Sequence, residues 1–220
     1  MKGDPMSFSE GKETARRADA GSKRKSVVRE YAEALLFAVV LVFFLRAFVI
    51  QAFRIPSGSM KDTLLVGDFL FVNKFIYGPK IPFTDYRLPG IRPPKPGDVI
   101  VFSAPIEDGK DFIKRCIAVG GQTVEVRDKR FYVDGVKLEE PYVIHSDSRN
   151  IGAPRDELGP IMVPPGHLFM VGDNRDDSHD SRYWGTLSMD RVKGKAIVLY
   201  FSWDGERHLP RFKRFFNLVK

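Results

Sequence analysis

The stretch Ala34–Leu45 reads ALLFAVVLVFFL and contains no polar side chain. Extended to Phe53, it adds only Arg46 and Gln51 as polar residues. About 20 helical residues rise ~30 Å, the thickness of a bilayer core. Apolar residues occupy every face instead of one stripe, which argues against a helix buried in a soluble core. Arg46 lies near one end, where a long side chain can reach the interface. The segment is therefore read as a transmembrane helix over residues 31–52.

The flanks give it a direction. Arg16, Arg17, Lys23, Arg24, Lys25 and Arg29 precede it. Positive residues stay on the cytoplasmic side, which places the following residues across the membrane. The polar leader of roughly thirty residues is long for a cleaved secretory signal, and no small-x-small site follows the apolar run. Residues 1–25 are polar, charged and read as disordered, so residues 1–30 form a basic cytoplasmic tail.

The whole chain has 220 residues and a formal net charge of +7. That charge fits an anionic partner, either nucleic acid or a membrane surface. The apolar segment selects the lipid bilayer, and no nucleic-acid partner is expected. Cys116 is the single cysteine, which excludes an internal disulfide framework and any multi-cysteine metal site. It is read as a small buried filler.

Beyond Phe53 the pattern changes to short β-rich runs. These are Asp68–Lys74, Asp98–Phe102, Thr123–Arg127, Phe131–Val133 with Val136–Leu138, His167–Val171 and Ala196–Phe201. Asp134-Gly135 sits between two of them and predicts a tight hairpin turn. Residues 79–96 hold six prolines and read as a loop, as does the Ser, Asp, Gly and Pro-rich stretch 145–166. The chain is thus one transmembrane helix followed by a mostly β domain, residues 53–220. The tail from Arg207 to Lys220 interleaves Arg and Lys with Phe, Leu and Val, and is read as an interfacial segment rather than an RNA-binding tail.

Three clusters carry chemistry. Ile55-Pro56-Ser57-Gly58-Ser59-Met60 follows the membrane segment. Its Pro and Gly make a turn that can expose a hydroxyl and converge backbone N–H groups. In Asp111-Phe112-Ile113-Lys114-Arg115-Cys116-Ile117, a strand would place Lys114 on one face with Phe112 and Cys116. Burial there lowers an ammonium pKa that starts near 10.4, and a neutral lysine can take a serine's proton. The third cluster is GDNRDDSHDSR, Gly172–Arg182. Its spacing does not match an EF-hand and two arginines intrude, so calcium binding fits poorly. Its charges can pair with each other and with Arg115, and a hydroxyl such as Ser178 can orient a neutral lysine.

PSGSM after a membrane helix, then GDVIVF, IKR and GDNRDDSHDSR, in this order, resembles type I signal peptidase, the bacterial leader peptidase. The similarity runs from about Tyr31 to the C-terminus. It implies a catalytic domain of coiled, barrel-like antiparallel sheets with a smaller inserted β cap, about residues 126–165. It implies a membrane-anchored serine endopeptidase that removes signal peptides from translocated preproteins after small residues at P1 and P3. The resemblance makes Ser59 the nucleophile, Lys114 the general base and Ser57 an oxyanion-hole donor alongside the Ser59 N–H. Ser178 would hydrogen-bond the lysine. Arg115, Asp173, Asp180 and Arg182 would form structural ion pairs. Phe53, Ile55, Met60, Leu64 and Ile113 would line the substrate pockets. No metal or cofactor is implied. The implied place is the bacterial cytoplasmic (inner) membrane, single-pass with the N-terminus cytoplasmic, close to the secretion translocon.

The sequence departs from the family pattern in three places. Asp62 precedes Thr63-Leu64 where a proline is usual, which is expected to loosen the turn. CIAVGGQ follows Lys114-Arg115 where a GLPGD-like turn is common. Asp177 stands where many members have Asn. None of these removes a catalytic group.

Other classes fit less well. A Ser–His–Asp hydrolase would need His145, His167, His179 or His208. A self-cleaving repressor would carry a DNA-binding domain in place of the membrane helix. A catalytically inactive, membrane-anchored β-rich adaptor is the alternative from a different class, but it has no need of Ser59, Lys114 and Ser178 together.

Overall fold

In the computed structural model, residues 27–220 are described, apart from residues 83, 85 and 108. Most of the basic tail read over residues 1–30, including Arg16, Arg17, Lys23, Arg24 and Lys25, lies outside them. The chain divides into two units, residues 1–43 and 44–220.

Helix α1 is Val27–Phe44, and none of its residues is buried. With a π-helical turn at Leu45–Val49 it forms a 23-residue run long and apolar enough to cross a membrane. Helical geometry ends earlier than the sequence suggests. Ile50–Arg54 is strand β1, because it pairs along its length with β2, Asp68–Asn73. Pairing overrides the apolar run's helical continuation.

The remaining strands are β3 (Val99–Ser103), β4 (Asp111–Val119), β5 (Thr123–Arg127), β6 (Arg130–Val133), β7 (Val136–Lys137), β8 (Leu158–Met162), β9 (His167–Val171), β10 (Leu187–Ser188), β11 (Val192–Asp204) and β12 (Leu209–Pro210). The main sheet is antiparallel in the order β1-β2-β11-β3-β4-β9-β10, with β12 on β11. Register shifts in β11 and β4 mark bulges, which bend strands and help curl this sheet into a half-barrel. A second antiparallel sheet, β7-β6-β5-β8, is inserted between β4 and β9.

Period-two alternation explains how both faces of the main sheet are filled. In β3, Val99 and Val101 join a core with Ile55, Met60, Leu64 and Ile113. Ile100 and Phe102 face a second core with Cys116, Leu168 and Met170. A third core locks the inserted sheet to the main one: Val124, Val126 and Phe131 pack on Ile117, Phe169 and Val171. The Asp134-Gly135 turn between β6 and β7 has positive φ at both residues, 51° and 79°, as a type I′ hairpin requires.

The stretch 145–166 is not all loop, since it contains β8. Gly159 and Pro160 hide it from a propensity reading, and it occupies a sheet edge, where proline is tolerated. The Pro-rich loop is tied down by two arginines. Arg87 donates to the Gly78 and Val192 carbonyls, each at 2.7 Å. Arg92 grips Asp98 through two bonds of 2.8 and 3.0 Å. Asp98 also accepts from Tyr77 Oη at 2.8 Å and pairs with Lys195 at 2.7 Å. Burial alone would raise this carboxyl; these partners outweigh it and hold it well below the usual carboxylate range. Burial pushes the Cys116 thiol up to about 12, so it is an unreactive filler in the core.

The C-terminal segment is part of the fold. The Phe215 ring packs at a tilt against Phe201, and Arg214 pairs with buried Asp68 at 2.6 Å. Phe212, Phe216 and Leu218 remain exposed.

The Arg115–Asp173 ion pair is buried, with bonds of 2.8 and 2.7 Å between side chains that are 2% and 0% exposed. Breaking such a pair leaves an uncompensated buried charge. Arg115→Ala is expected to destabilise residues 44–220 by about 3–5 kcal/mol in denaturant unfolding of the full chain. A loss below 1 kcal/mol would show that Asp173 is resolvated without it.

Candidate active site

Ser59 lies on the turn between β1 and β2. The strands enter and leave this turn through Ile55, whose N–H donates to Asp68 O at 2.9 Å and whose carbonyl accepts from Gly67 N at 3.1 Å. The turn is then fastened to the Gly172–Arg182 segment. Asn174 donates from its backbone to Ser59 O and from its side chain to Gly58 O, both at 3.1 Å. Thr63 Oγ1 donates to Asp173 Oδ2 at 2.6 Å. Asp62 sits between them with φ 74°, a value closed to proline. The family's proline is thus excluded by the backbone path, and Thr63 fixes the turn that its absence was expected to loosen.

Lys114 lies in the middle of β4, opposite Ile100 of β3. Its Nζ donates to Ser59 Oγ at 2.5 Å. The side chain is buried, with the residue 5% exposed, and Nζ lies 5.8 Å from the centroid of the Phe112 ring. Phe112 and Cys116 share one core, as alternation along the strand predicts. Burial lowers the ammonium pKa to about 8. Asp180, Asp173 and Asp177 pull it back up and Arg182 pushes it down, but burial dominates.

Two of the three carboxylates near the lysine are engaged elsewhere. Asp173 is held by Arg115. Asp180 accepts from Arg182 Nε at 2.9 Å and Nη2 at 2.8 Å. Burial raises the Asp180 carboxyl, but Arg182 overcomes this and leaves it lowered. Arg182 also reaches the Arg155 and Arg175 carbonyls at 3.0 and 2.7 Å, so one guanidinium ties three segments together.

Ser178 is buried beside this pair, yet its Oγ makes no hydrogen bond with any described residue. The expected bond to Lys114 is therefore absent. Gly172 explains how Ser178 comes so near: a Cβ at Gly172 would clash with the Ser178 hydroxyl and lie 2.5 Å from Ser59 O.

A cleft of about 490 Å³ opens over Ser59 and Lys114, lined also by Ser57, Pro56, Phe112 and Ile113. Ser57 is exposed there. Among the described residues, the Ser59 N–H makes no hydrogen bond and is open to a ligand. A small adjoining depression of about 20 Å³ is lined by Phe53, Ile55, Val101 and Ile113 among others. Met60 and Leu64 line neither. Both are fully buried in the core beneath, which corrects their reading as pocket residues. Their apolar side chains support the turn from below.

Sequence reasoning missed several residues. Phe112 walls the cleft, and its i−2 relation to Lys114 was the available signal. His179 also lines the cleft, yet the Ser59 hydroxyl is bonded to Lys114 and not to a histidine. Tyr142 covers Arg115, with the guanidinium 3.8 Å from the ring centroid, and Arg175 pairs with Glu140 at 2.5 Å. Glu140 and Tyr142 belong to a connection with no local pattern that marks them. Among the described residues, no group of three or more His, Cys, Asp or Glu side chains is placed to hold a metal ion.

Known proteins place this site in a family. The family model described as "Signal peptidase, peptidase S26" matches residues 28–203. A signal peptidase I of Pseudomonas fluorescens is 35% identical over 225 residues, covering 87% of this chain and 79% of the relative. One from Pseudomonas aeruginosa is 34% identical over 226 residues, with the same coverage. A probable signal peptidase I-1 of Synechocystis is 38% identical over 181 residues, covering 79% of this chain and 83% of the relative. With the family model spanning most of the chain, and relatives of this identity matched over most of their own length, the chain belongs to the signal peptidase family of serine peptidases, peptidase S26.

Proposed function

We propose that the chain is a membrane-anchored endopeptidase that removes signal peptides with Ser59 as nucleophile and Lys114 as general base. The observation that carries this reading is the 2.5 Å approach of a buried lysine Nζ to a serine Oγ at the floor of an open cleft. A lysine is a poor base at its ordinary pKa. With the pKa near 8, about one-tenth of Lys114 is neutral at pH 7.

The reaction follows from the geometry. Ser59 Oγ attacks the scissile carbonyl as its proton passes to Lys114 Nζ. The unengaged Ser59 N–H and the exposed Ser57 hydroxyl stabilise the oxyanion; losing one such donor commonly costs about 3–4 kcal/mol. The Lys114 ammonium then protonates the leaving amine, which breaks the C–N bond and leaves an ester on Ser59. Water, losing its proton to Lys114, attacks that ester, and Lys114 returns the proton to Ser59 Oγ as the C–O bond breaks.

A small depression beside the cleft supports the reading of specificity for small residues at P1 and P3. A volume of about 20 Å³ between Phe53, Ile55 and Ile113 accommodates roughly one water-sized group, such as a methyl. The Val27–Val49 run serves as the anchor. Its basic flank supports a reading with a cytoplasmic N-terminus and residues 53–220 on the outer face of the bacterial inner membrane, near the translocon. Anchoring raises the effective concentration of the enzyme at emerging cleavage sites.

Cleavage of a preprotein with a small-x-small site should be abolished by Ser59→Ala without loss of folding. Replacing either small residue by Leu should slow the wild type at least tenfold. Wild-type rates from the Ser59→Ala variant would overturn the assignment.

The rate should rise with pH through a midpoint near 8, set by loss of the Lys114 proton. A midpoint above 10 would contradict a desolvated base.

Stability supplies a third check. The folded pKa of Lys114 lies below its ordinary 10.5, so the unfolded chain binds the proton more tightly. The penalty is fully present below about pH 8 and disappears as pH rises through 10.5. Lys114→Met should therefore be inactive, yet more stable than wild type at pH 7 by roughly 1–3 kcal/mol. The gap should close as pH approaches 10.5. Lower stability of this variant at pH 7 would refute the penalty.

A further inference from the structure

A second cavity, of about 250 Å³, shares no lining residue with the Ser59 cleft. Among the described residues, its wall holds the cationic side chains Lys74, Arg87, Arg191 and Lys193, together with Lys80, which has a partner of its own, and one carboxylate, Asp190. Lys193 is paired with Asp111 at 2.6 Å. Three of the others are held by neutral acceptors. Lys74 Nζ donates to the Arg46 and Ala47 carbonyls at 3.2 and 3.1 Å. Arg87 donates to the Gly78 and Val192 carbonyls at 2.7 Å, and to those of Met189 and Asp190 at 3.3 Å. Arg191 donates to the Ala104 carbonyl at 2.9 Å. Among the described residues, Lys74, Arg87 and Arg191 form no ion pair with a carboxylate. Carbonyl groups fix these side chains in place without cancelling their charge.

Convergent like charges around a cavity repel unless an anion occupies it. Lys74 registers this: burial, then Lys193 and Arg46, lower its pKa. The position of the cavity selects the anion. Gln51 lines it, two residues past Val49, where the apolar run ends. Two extended residues span only about 7 Å. Lys74 is also bonded to the final turn of that run. If the run crosses a bilayer, the cavity sits at the depth of the lipid phosphates.

We propose that this cavity binds the phosphate of an anionic phospholipid headgroup and so fixes residues 44–220 against the bilayer surface. The inference rests on the reading of Val27–Val49 as a membrane anchor.

The test is calorimetric titration of the full chain in a neutral detergent with dihexanoyl phosphatidylglycerol, dihexanoyl phosphatidylcholine or inorganic phosphate. Phosphatidylglycerol is expected to bind at least tenfold more tightly than phosphatidylcholine. Each cation removed should weaken it about fivefold, so Lys74→Gln combined with Arg191→Gln should lose roughly twentyfold. Arg191→Gln alone, at an exposed position, provides the same test if the double variant does not fold. Equal affinity for the two lipids, or unchanged binding by Arg191→Gln, would overturn the proposal. Inorganic phosphate binding as tightly as phosphatidylglycerol would reject the lipid as the occupant. The anchor itself is tested separately by alkaline extraction of membranes: release of the chain would remove the anchor reading and leave the titration result standing.

Discussion

Lys114 has its Nζ 2.5 Å from Ser59 Oγ and no carboxylate within ion-pair reach among the described residues. An ammonium in that position is poorly solvated and unpaired, and releasing its proton relieves the strain. Two aspartates nearby would undo this if they were free. Asp173 and Asp180 both favour the charged lysine. Each is clamped by its own arginine, Arg115 or Arg182, through two hydrogen bonds. The arginines therefore act twice. They hold the turn and the Gly172–Arg182 segment together, and they neutralise the fields that would otherwise keep Lys114 protonated. The stability given up at Lys114 is recovered in the surrounding pairs and in the three apolar cores.

The parts of this arrangement legible in sequence are those with short-range signals. Alternation in DFIKRCI placed Lys114 on one face with Phe112 and Cys116, and the two apolar residues do share a core. Asp134-Gly135 marked a hairpin because only certain residues accept positive φ in succession. The density of charge in GDNRDDSHDSR indicated a paired network. Signals that depend on distant partners were not legible. Strand β8 is disguised by Gly159 and Pro160 and exists because β5 offers an edge. Met60 and Leu64 follow Ser59 closely in sequence, yet the turn directs them into the core. Tyr142 lies over Arg115 only because the inserted sheet brings it there. Ser178 was expected to bond the lysine, but its hydroxyl is left without a partner among the described residues.

Charge also acts on a larger scale. The net +7 is not spread as a general anionic-binding surface. Part of it precedes the apolar run in the sequence. Part is locked in buried pairs around the cleft. Another part converges on the cavity at the end of the apolar run, held there by backbone carbonyls instead of carboxylates. Cations thus occur here in two structural settings, paired with buried carboxylates and held by backbone carbonyls. Lys114 belongs to neither, since its Nζ is bonded to a serine hydroxyl.

The most direct measurement is the titration of Lys114 itself, followed by NMR of the side-chain carbon next to Nζ in selectively labelled full-length chain. A midpoint near pH 8 is the expected result, displaced from the ordinary value of 10.5 by burial. A Lys114 resonance that remains that of an ammonium up to pH 10.5 would contradict the desolvated base, however close its Nζ lies to Ser59.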